Sequence, residues 1–172
     1  MPSGADETLD RGQSPSKNAE RLALVKAQDI AARVTKSIVI GADTIVVLGR
    51  HVLGKPRNKK DAERMLRLLS GKTHVVYTGL ALVDASSGRS ACAVEKTFVT
   101  FRKLEREEIR AYAASGSPMD KAGAYGIQDD YGAVFVKRVE GCFYNVVGFP
   151  LARFHSLVEE FGGRHNKKTR KR

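Results

Sequence analysis

Apolar and polar positions follow two different periods along this chain, and the period changes at glycines and prolines. After Ser14-Pro15, the residues Leu22, Val25 and Ile30, with several alanines between them, recur at helical spacing. A serine able to accept an amide hydrogen bond, then a proline at the first helical position, predicts a helix from Pro15 to about Arg33. Residues 37–49, SIVIGADTIVVLG, are too β-branched for a helix and apolar on both sides. They predict a buried strand interrupted at Gly41-Ala42-Asp43, with Gly49-Arg50 turning it into the short return HVLG. Ala62, Met65, Leu66 and Leu69 share one face of a second helix, capped by Asn58 and stopped by Gly71. THVVYTGLALVDA (73–85) and SACAVEKTFVTF (90–101) read as long strands, and Ser86-Ser87-Gly88 joins them as a hairpin. EREEIRAYAASG (105–116) reads as a short helix and DKAGAYGIQ (120–128) as a glycine-rich loop. AVFVKRVE and CFYNVVG are expected as a strand pair around Glu140-Gly141, and a last helix starts near Pro150. This alternation predicts an α/β fold, a mixed twisted sheet flanked by helices.

Composition narrows the class. A chain of 172 residues with 42% hydrophobic and 28% charged residues fits one ordinary globular domain. Charged residues interrupt every apolar run before the roughly 18 residues a membrane helix needs. Asp6, Glu7 and Asp10 make the first residues unlike a secretory signal. Cys92 and Cys142 form no CxxC or Cys/His pattern and read as structural thiols of a reducing cytoplasm. The net charge of +11 favours anionic partners. Six of those charges, Arg164, Lys167, Lys168, Arg170, Lys171 and Arg172, sit together at one end and leave the rest near +5 (11 − 6). The expectation is a folded domain over 1–162 and a basic, disordered tail over 163–172.

Few residues stand out chemically. Asp43 is a carboxylate between Ile38-Val39-Ile40 and Ile45-Val46-Val47. There an ionised group is costly unless paired or metal-bound, although a turn aspartate bonding local amides reads equally well. Lys55 in Gly54-Lys55-Pro56 offers a cation for phosphate on a backbone fixed by proline; most such lysines are merely solvated. Lys26, beside the apolar face of the first helix, reads on its own as a snorkelling lysine. In residues 120–128 the glycines allow a ligand close to the backbone, and the Gln128 amide can read a base edge. The alternative is a structural loop held by Asp120 and Lys121. No GxxxxGK[ST] or HExxH motif is present, and the four histidines lack ligand spacing.

Taken together, GADT (41–44), GKP (54–56), AERMLRLLSGKTH (62–74), YTG (77–79), DKAGAYGIQ (120–128) and GCFYNVVGFPL (141–151) resemble the Maf-type nucleoside triphosphate pyrophosphatases. ADET (5–8) and ERLALVKA (20–27) are similar to that family's early segments, so the resemblance covers about residues 2–161. It implies an elongated mixed α/β sheet with a cleft between two lobes. It also implies a cytoplasmic, homodimeric enzyme that hydrolyses nucleoside triphosphates to monophosphate and pyrophosphate with Mg²⁺ or Mn²⁺. By the same resemblance, Asp43 is the catalytic base that activates water. Glu7 assists it and shares the metal. Lys26 and Lys55 contact phosphate, and Thr44 and Gln128 belong to substrate choice. GADT resembles the branch acting on dTTP and UTP.

The family pattern also has a strand and turn, Ser-x-Ser-Pro-Arg-Arg, ahead of the ADET-like segment. This sequence starts at Met1-Pro2-Ser3, so a first strand with its phosphate-binding serine and arginine is expected to be missing. Two other readings stand beside the enzyme. One is a catalytically impaired family member with a regulatory role in cell division; the other is a basic protein associated with nucleic acid through its tail.

Overall fold

The computed structural model describes residues 1–169. Among them the elements run α1 (Pro15–Ala31), β1 (Ile38–Leu48), β2 (His51–Leu53), α2 (Lys59–Leu69), β3 (Thr73–Asp84), β4 (Ser90–Phe101) and α3 (Arg106–Ser115). Two 3-10 turns, Ser117–Asp120 and Ala122–Ala124, precede α4 (Asp130–Phe135), β5 (Val136–Glu140), α5 (Phe143–Val147) and α6 (Leu151–Thr169). The sheet order is β2-β1-β3-β4-β5, with β1/β2 and β4/β5 antiparallel, which is the expected α/β class. None of the helices among the described residues is long and apolar enough to cross a membrane. Of the expected tail, the side chains from 164 onward and residues 170–172 lie outside the described residues.

Local chemistry sets most of these boundaries. The Ser14 side chain accepts from the Lys17 amide at 3.3 Å, and Asn58 accepts from the Asp61 amide at 2.9 Å. Gly49, Gly71 and Gly88 take positive φ at the turns that end β1, α2 and the β3–β4 hairpin. Three expectations fail. β1 runs without interruption through Gly41-Ala42-Asp43, and it is not buried along both faces, since Ile38 and Ile40 are about half exposed. The first residues of AVFVKRVE belong to α4, and CFYNVVG forms the helix α5 instead of a strand. Tertiary bonding overrides β-propensity in α5. Asn145, fully buried, donates to the Val76 carbonyl at 3.1 Å and the Thr97 hydroxyl at 2.9 Å, while the Cys142 amide also reaches Thr97.

The chain divides into two compact units, one made of Met1–Asp43, Thr78–Glu95 and the chain from Gly148 onward, the other of Thr44–Tyr77 and Lys96–Val147. In the first, β3 alternates its side chains between two helices. Ala81 and Val83 pack with Ala23, Ala27 and Ala31 of α1, whereas Leu80 and Leu82 pack with Leu157 and Phe161 of α6. Ala19, Ala23, Ala27 and Ala31 recur every four residues, so α1 presents a smooth stripe. That stripe meets strand positions without side chains. A methyl group at Gly79 would lie 2.1 Å from the Ala19 carbonyl oxygen, and one at Gly41 would lie 2.2 Å from the Ala23 carbonyl oxygen. Four helical residues rise about 6 Å, close to the ~4.8 Å between neighbouring strands. Consecutive turns of α1 therefore land on the neighbouring strands β3 and β1.

In the second unit, the predicted face of α2, Ala62, Met65, Leu66 and Leu69, joins Val76, Val99, Phe101 and Ile109 in one core. Each such large side chain contributes on the order of 2 kcal/mol by leaving water. Edge-to-face rings of His74, Phe101 and Tyr125 close this core, and Nε2 of His74 bonds the Tyr125 hydroxyl at 2.8 Å. Burial pushes the imidazole down to about 4, so His74 is neutral at physiological pH.

Candidate active site

A cluster of charged side chains in the first unit is built on α1. The N-terminal segment has no regular structure of its own and is tied to the helix by side-chain bonds. Asp29 accepts from the Ser3 hydroxyl at 2.9 Å and the Gly4 amide at 3.0 Å. Asn18 accepts from the Asp10 amide and donates to the Asp10 carbonyl, both at 2.8 Å, while Arg21 donates to the Thr8 carbonyl at 2.6 Å. These bonds lay residues 3–10 along α1 and bring Glu7 to Lys26. The close contact at Gly41 brings Asp43 to the same ammonium. Nζ of Lys26 stands 2.6 Å from Asp43 and 3.0 Å from Glu7.

Lys26 therefore does not snorkel. Burial works against its charge, yet the hydrogen bonds it donates to Asp43 and Glu7 outweigh that cost and raise its pKa above the ordinary lysine value. The ammonium is the shared counter-ion of two carboxylates that would otherwise repel each other. Asp43 is half-buried on β1, so the turn-aspartate reading gives way to a paired carboxylate at a strand. Among the described residues no group of three His, Cys, Asp or Glu comes together. Asp43 and Glu7 converge instead on the Lys26 ammonium, as two oxygen donors of the kind a hard divalent cation takes.

The second unit holds the remaining candidates. Thr44, the next residue of β1, is half-buried. Lys55 is exposed just after β2, and its segment is docked on the glycine-rich loop by a Gly123 amide to Gly54 carbonyl bond of 3.1 Å. Asp120 sits below the ordinary carboxylate range, chiefly through its hydrogen bond from Lys121, with Lys55 adding to the effect. The Asp120–Lys121 pairing anticipated for a structural loop is thus present, at 2.8 Å. Gln128, at the loop's far end, is exposed and lines a cavity of about 490 Å³ with Tyr112, Ser117, Asp129 and Tyr131. Sequence reasoning missed these neighbours. The run Asp129-Asp130-Tyr131 directly after Gln128 was the available signal.

A family model described as "Maf-like protein" matches residues 1–161. The chain is 49% identical over 162 residues to a dTTP/UTP pyrophosphatase of Pelotomaculum thermopropionicum, covering 94% of this chain and 84% of the relative. It is 49% identical to a dTTP/UTP pyrophosphatase of Moorella thermoacetica, over 94% of this chain and 83% of the relative. A dTTP/UTP pyrophosphatase of Salinibacter ruber is likewise 49% identical, over 91% and 76% of the two chains.

Proposed function

Because the chain belongs to the Maf-like family, we propose that it hydrolyses dTTP, UTP and modified pyrimidine nucleoside triphosphates to the monophosphate and pyrophosphate. Such an activity keeps those nucleotides out of nucleic acids, and a homodimer in the cytoplasm is the setting proposed for it. The observation that carries the reading is the Asp43–Lys26–Glu7 constellation, set on the family's own segments and held at 2.6 and 3.0 Å.

The residues divide the work by charge. The Asp43 carboxylate accepts a hydrogen bond from the attacking water and takes its proton as the oxygen bonds to the α-phosphorus. The bond from that phosphorus to the bridging oxygen breaks, and pyrophosphate leaves. Lys55, with no competing ion pair of its own among the described residues, meets phosphate charge directly. Lys26 meets it by turning from its carboxylates. Asp43 and Glu7 are the residues that would hold Mg²⁺ or Mn²⁺, which when bound offsets the charge of the triphosphate. Thr44 and Gln128 are assigned to substrate choice, Gln128 through an amide with one donor and one acceptor edge.

Asp43→Asn tests this reading, because it keeps the shape of the side chain and removes the base. Pyrophosphate release from UTP and dTTP should fall by at least 10²-fold with the circular dichroism spectrum unchanged. Turnover near that of the wild type would remove Asp43 from the mechanism. Light scattering checks the dimer.

A further inference from the structure

Of Asp43, Lys26 and Glu7, only Glu7 is carried by neither a helix nor a strand. Asp6, Glu7 and Thr8 are all exposed, so packing does not fix them either. What holds them is a ladder of polar contacts that runs opposite to α1. Asp10 meets Asn18, Thr8 meets Arg21, Glu7 meets Lys26, and Ser3 with Gly4 meets Asp29. From Asn18 to Asp29 the helix rises about 16 Å, whereas the chain from Ser3 to Asp10 spans about 23 Å when extended. The segment has slack to take up, and a turn centred on Glu7 takes up part of it.

Two residues outside the cluster make and hold that turn. Oδ1 of Asp6 accepts from the Thr8 amide at 2.9 Å and from the Thr8 hydroxyl at 2.6 Å. The ring so closed is an Asx turn with Glu7 at its middle position. The bond from the Thr8 hydroxyl, and after it the amide bond, holds the Asp6 carboxyl below the ordinary carboxylate range, so the acceptor is ionised at neutral pH. From the helix side, Nη2 of Arg21 donates to the Thr8 carbonyl at 2.6 Å and to Asn18 at 3.4 Å. Its Nε is buried without a hydrogen-bond partner among the described residues. An unpaired buried N–H is costly, so contact with Thr8, and not hydration, keeps the guanidinium in place.

Resting on the pyrophosphatase reading, we propose that Asp6 and Arg21 are positioning residues for Glu7. Asp6 folds the turn that presents the Glu7 carboxylate to Lys26 at 3.0 Å, and Arg21 clamps that turn to α1. Both act through Thr8. Because α1 carries Arg21 and Lys26 alike, one helix places the ammonium and the carboxylate that meets it.

A double-mutant cycle separates positioning from general support of the fold. Asp6→Ala and Arg21→Ala should each lower kcat for UTP about tenfold with KM within about twofold, and each loss should vanish in a Glu7→Gln background. Asp6→Asn, which keeps the Oδ1 acceptor and drops the charge, should retain the wild-type kcat, and Arg21→Lys, which keeps a donor, should recover part of the loss. Losses that persist in the Glu7→Gln background overturn the proposal, as does an Asp6→Asn loss equal to that of Asp6→Ala. Asp6 lies in an exposed segment outside regular structure, so its variants test the turn even if Arg21→Ala fails to fold. Absence of any turnover in the wild type refutes the activity alone, and the ¹⁵N NMR signal of the Lys26 ammonium then decides the placement. That signal should move in Glu7→Gln, and Asp6→Ala and Arg21→Ala should move it in the same direction. A signal that either alanine variant leaves unmoved overturns that residue's role.

Discussion

Gly41→Ala isolates the contact on which the first unit is assembled. The new methyl group would stand 2.2 Å from the Ala23 carbonyl oxygen, 2.9 Å from the Ala27 methyl and 3.1 Å from the Ala27 nitrogen. Two of these are backbone atoms of a helix, and no rotamer change can move them. Ordinary contact begins near 3.4 Å, so α1 must withdraw by about 1.2 Å (3.4 − 2.2). Gly41 lies within β1 and is not at positive φ, so backbone strain adds nothing. By itself the substitution would stabilise the protein by about 0.4–1 kcal/mol through the unfolded chain. Overpacking of this kind costs about 1–3 kcal/mol, and a stripe of four alanines that must separate from its strands belongs at the upper end. Net of the gain through the unfolded chain and with m near 2 kcal/mol/M, the urea midpoint should fall by about 1 M at constant m. Retreat of the helix also draws Lys26 from Asp43, so activity should fall together with stability. Gly162→Ala on α6, where an added methyl meets nothing within 4 Å, serves as the control and should be neutral or slightly stabilising. A Gly41→Ala midpoint equal to that of the control would refute the packing of α1 on β1 and, with it, the account of how Lys26 is placed.

Two further outcomes follow from the second unit. His74 has its folded pKa near 4 against 6.5 in the unfolded chain, so the unfolded state takes up the proton first. Its contribution is complete above pH 6.5 and is lost as pH falls toward 4, by about 3 kcal/mol in all; His74→Gln should flatten that part of a urea-stability profile, and an unaltered slope would rule His74 out as its source. Asn145→Ala should cost about 2–3 kcal/mol, because it strips hydrogen bonds from the buried Val76 carbonyl and Thr97 hydroxyl. A loss below about 0.5 kcal/mol would mean that α5 is held by something other than Asn145.

Elements with one clear period and a cap were legible. Ser14-Pro15 and Asn58 open their helices where the side chains bond, and Ser86-Ser87-Gly88 turns its hairpin. CFYNVVG was misread because its β-branched residues say strand, while a single asparagine bonding chain segments 48 and 69 residues away says otherwise. Asp43 was misjudged only locally: Gly41-Ala42 looked like a break in the strand, whereas the glycine is there to admit a helix backbone. The link from Lys26 to Asp43 and Glu7 spans 17 and 19 residues and crosses three different pieces of structure, so no local pattern contains it. Only the family resemblance had named all three. The cavity beside Gln128 was invisible for the same reason, since α3 and the loop meet only after folding.

The two glycines facing α1 also decide which side chain Asp43 sees. With Ala19 seated on Gly79 and Ala23 on Gly41, the helix is fixed both along its axis and about it. Lys26 stands three residues past Ala23, about 60° round from the alanine stripe. A slip by one turn would present Leu22 or Ile30 at that place, neither of which carries a charge. The position of one ammonium group is thus specified by where the strands lack side chains: the register of α1 is written in the gaps of the sheet.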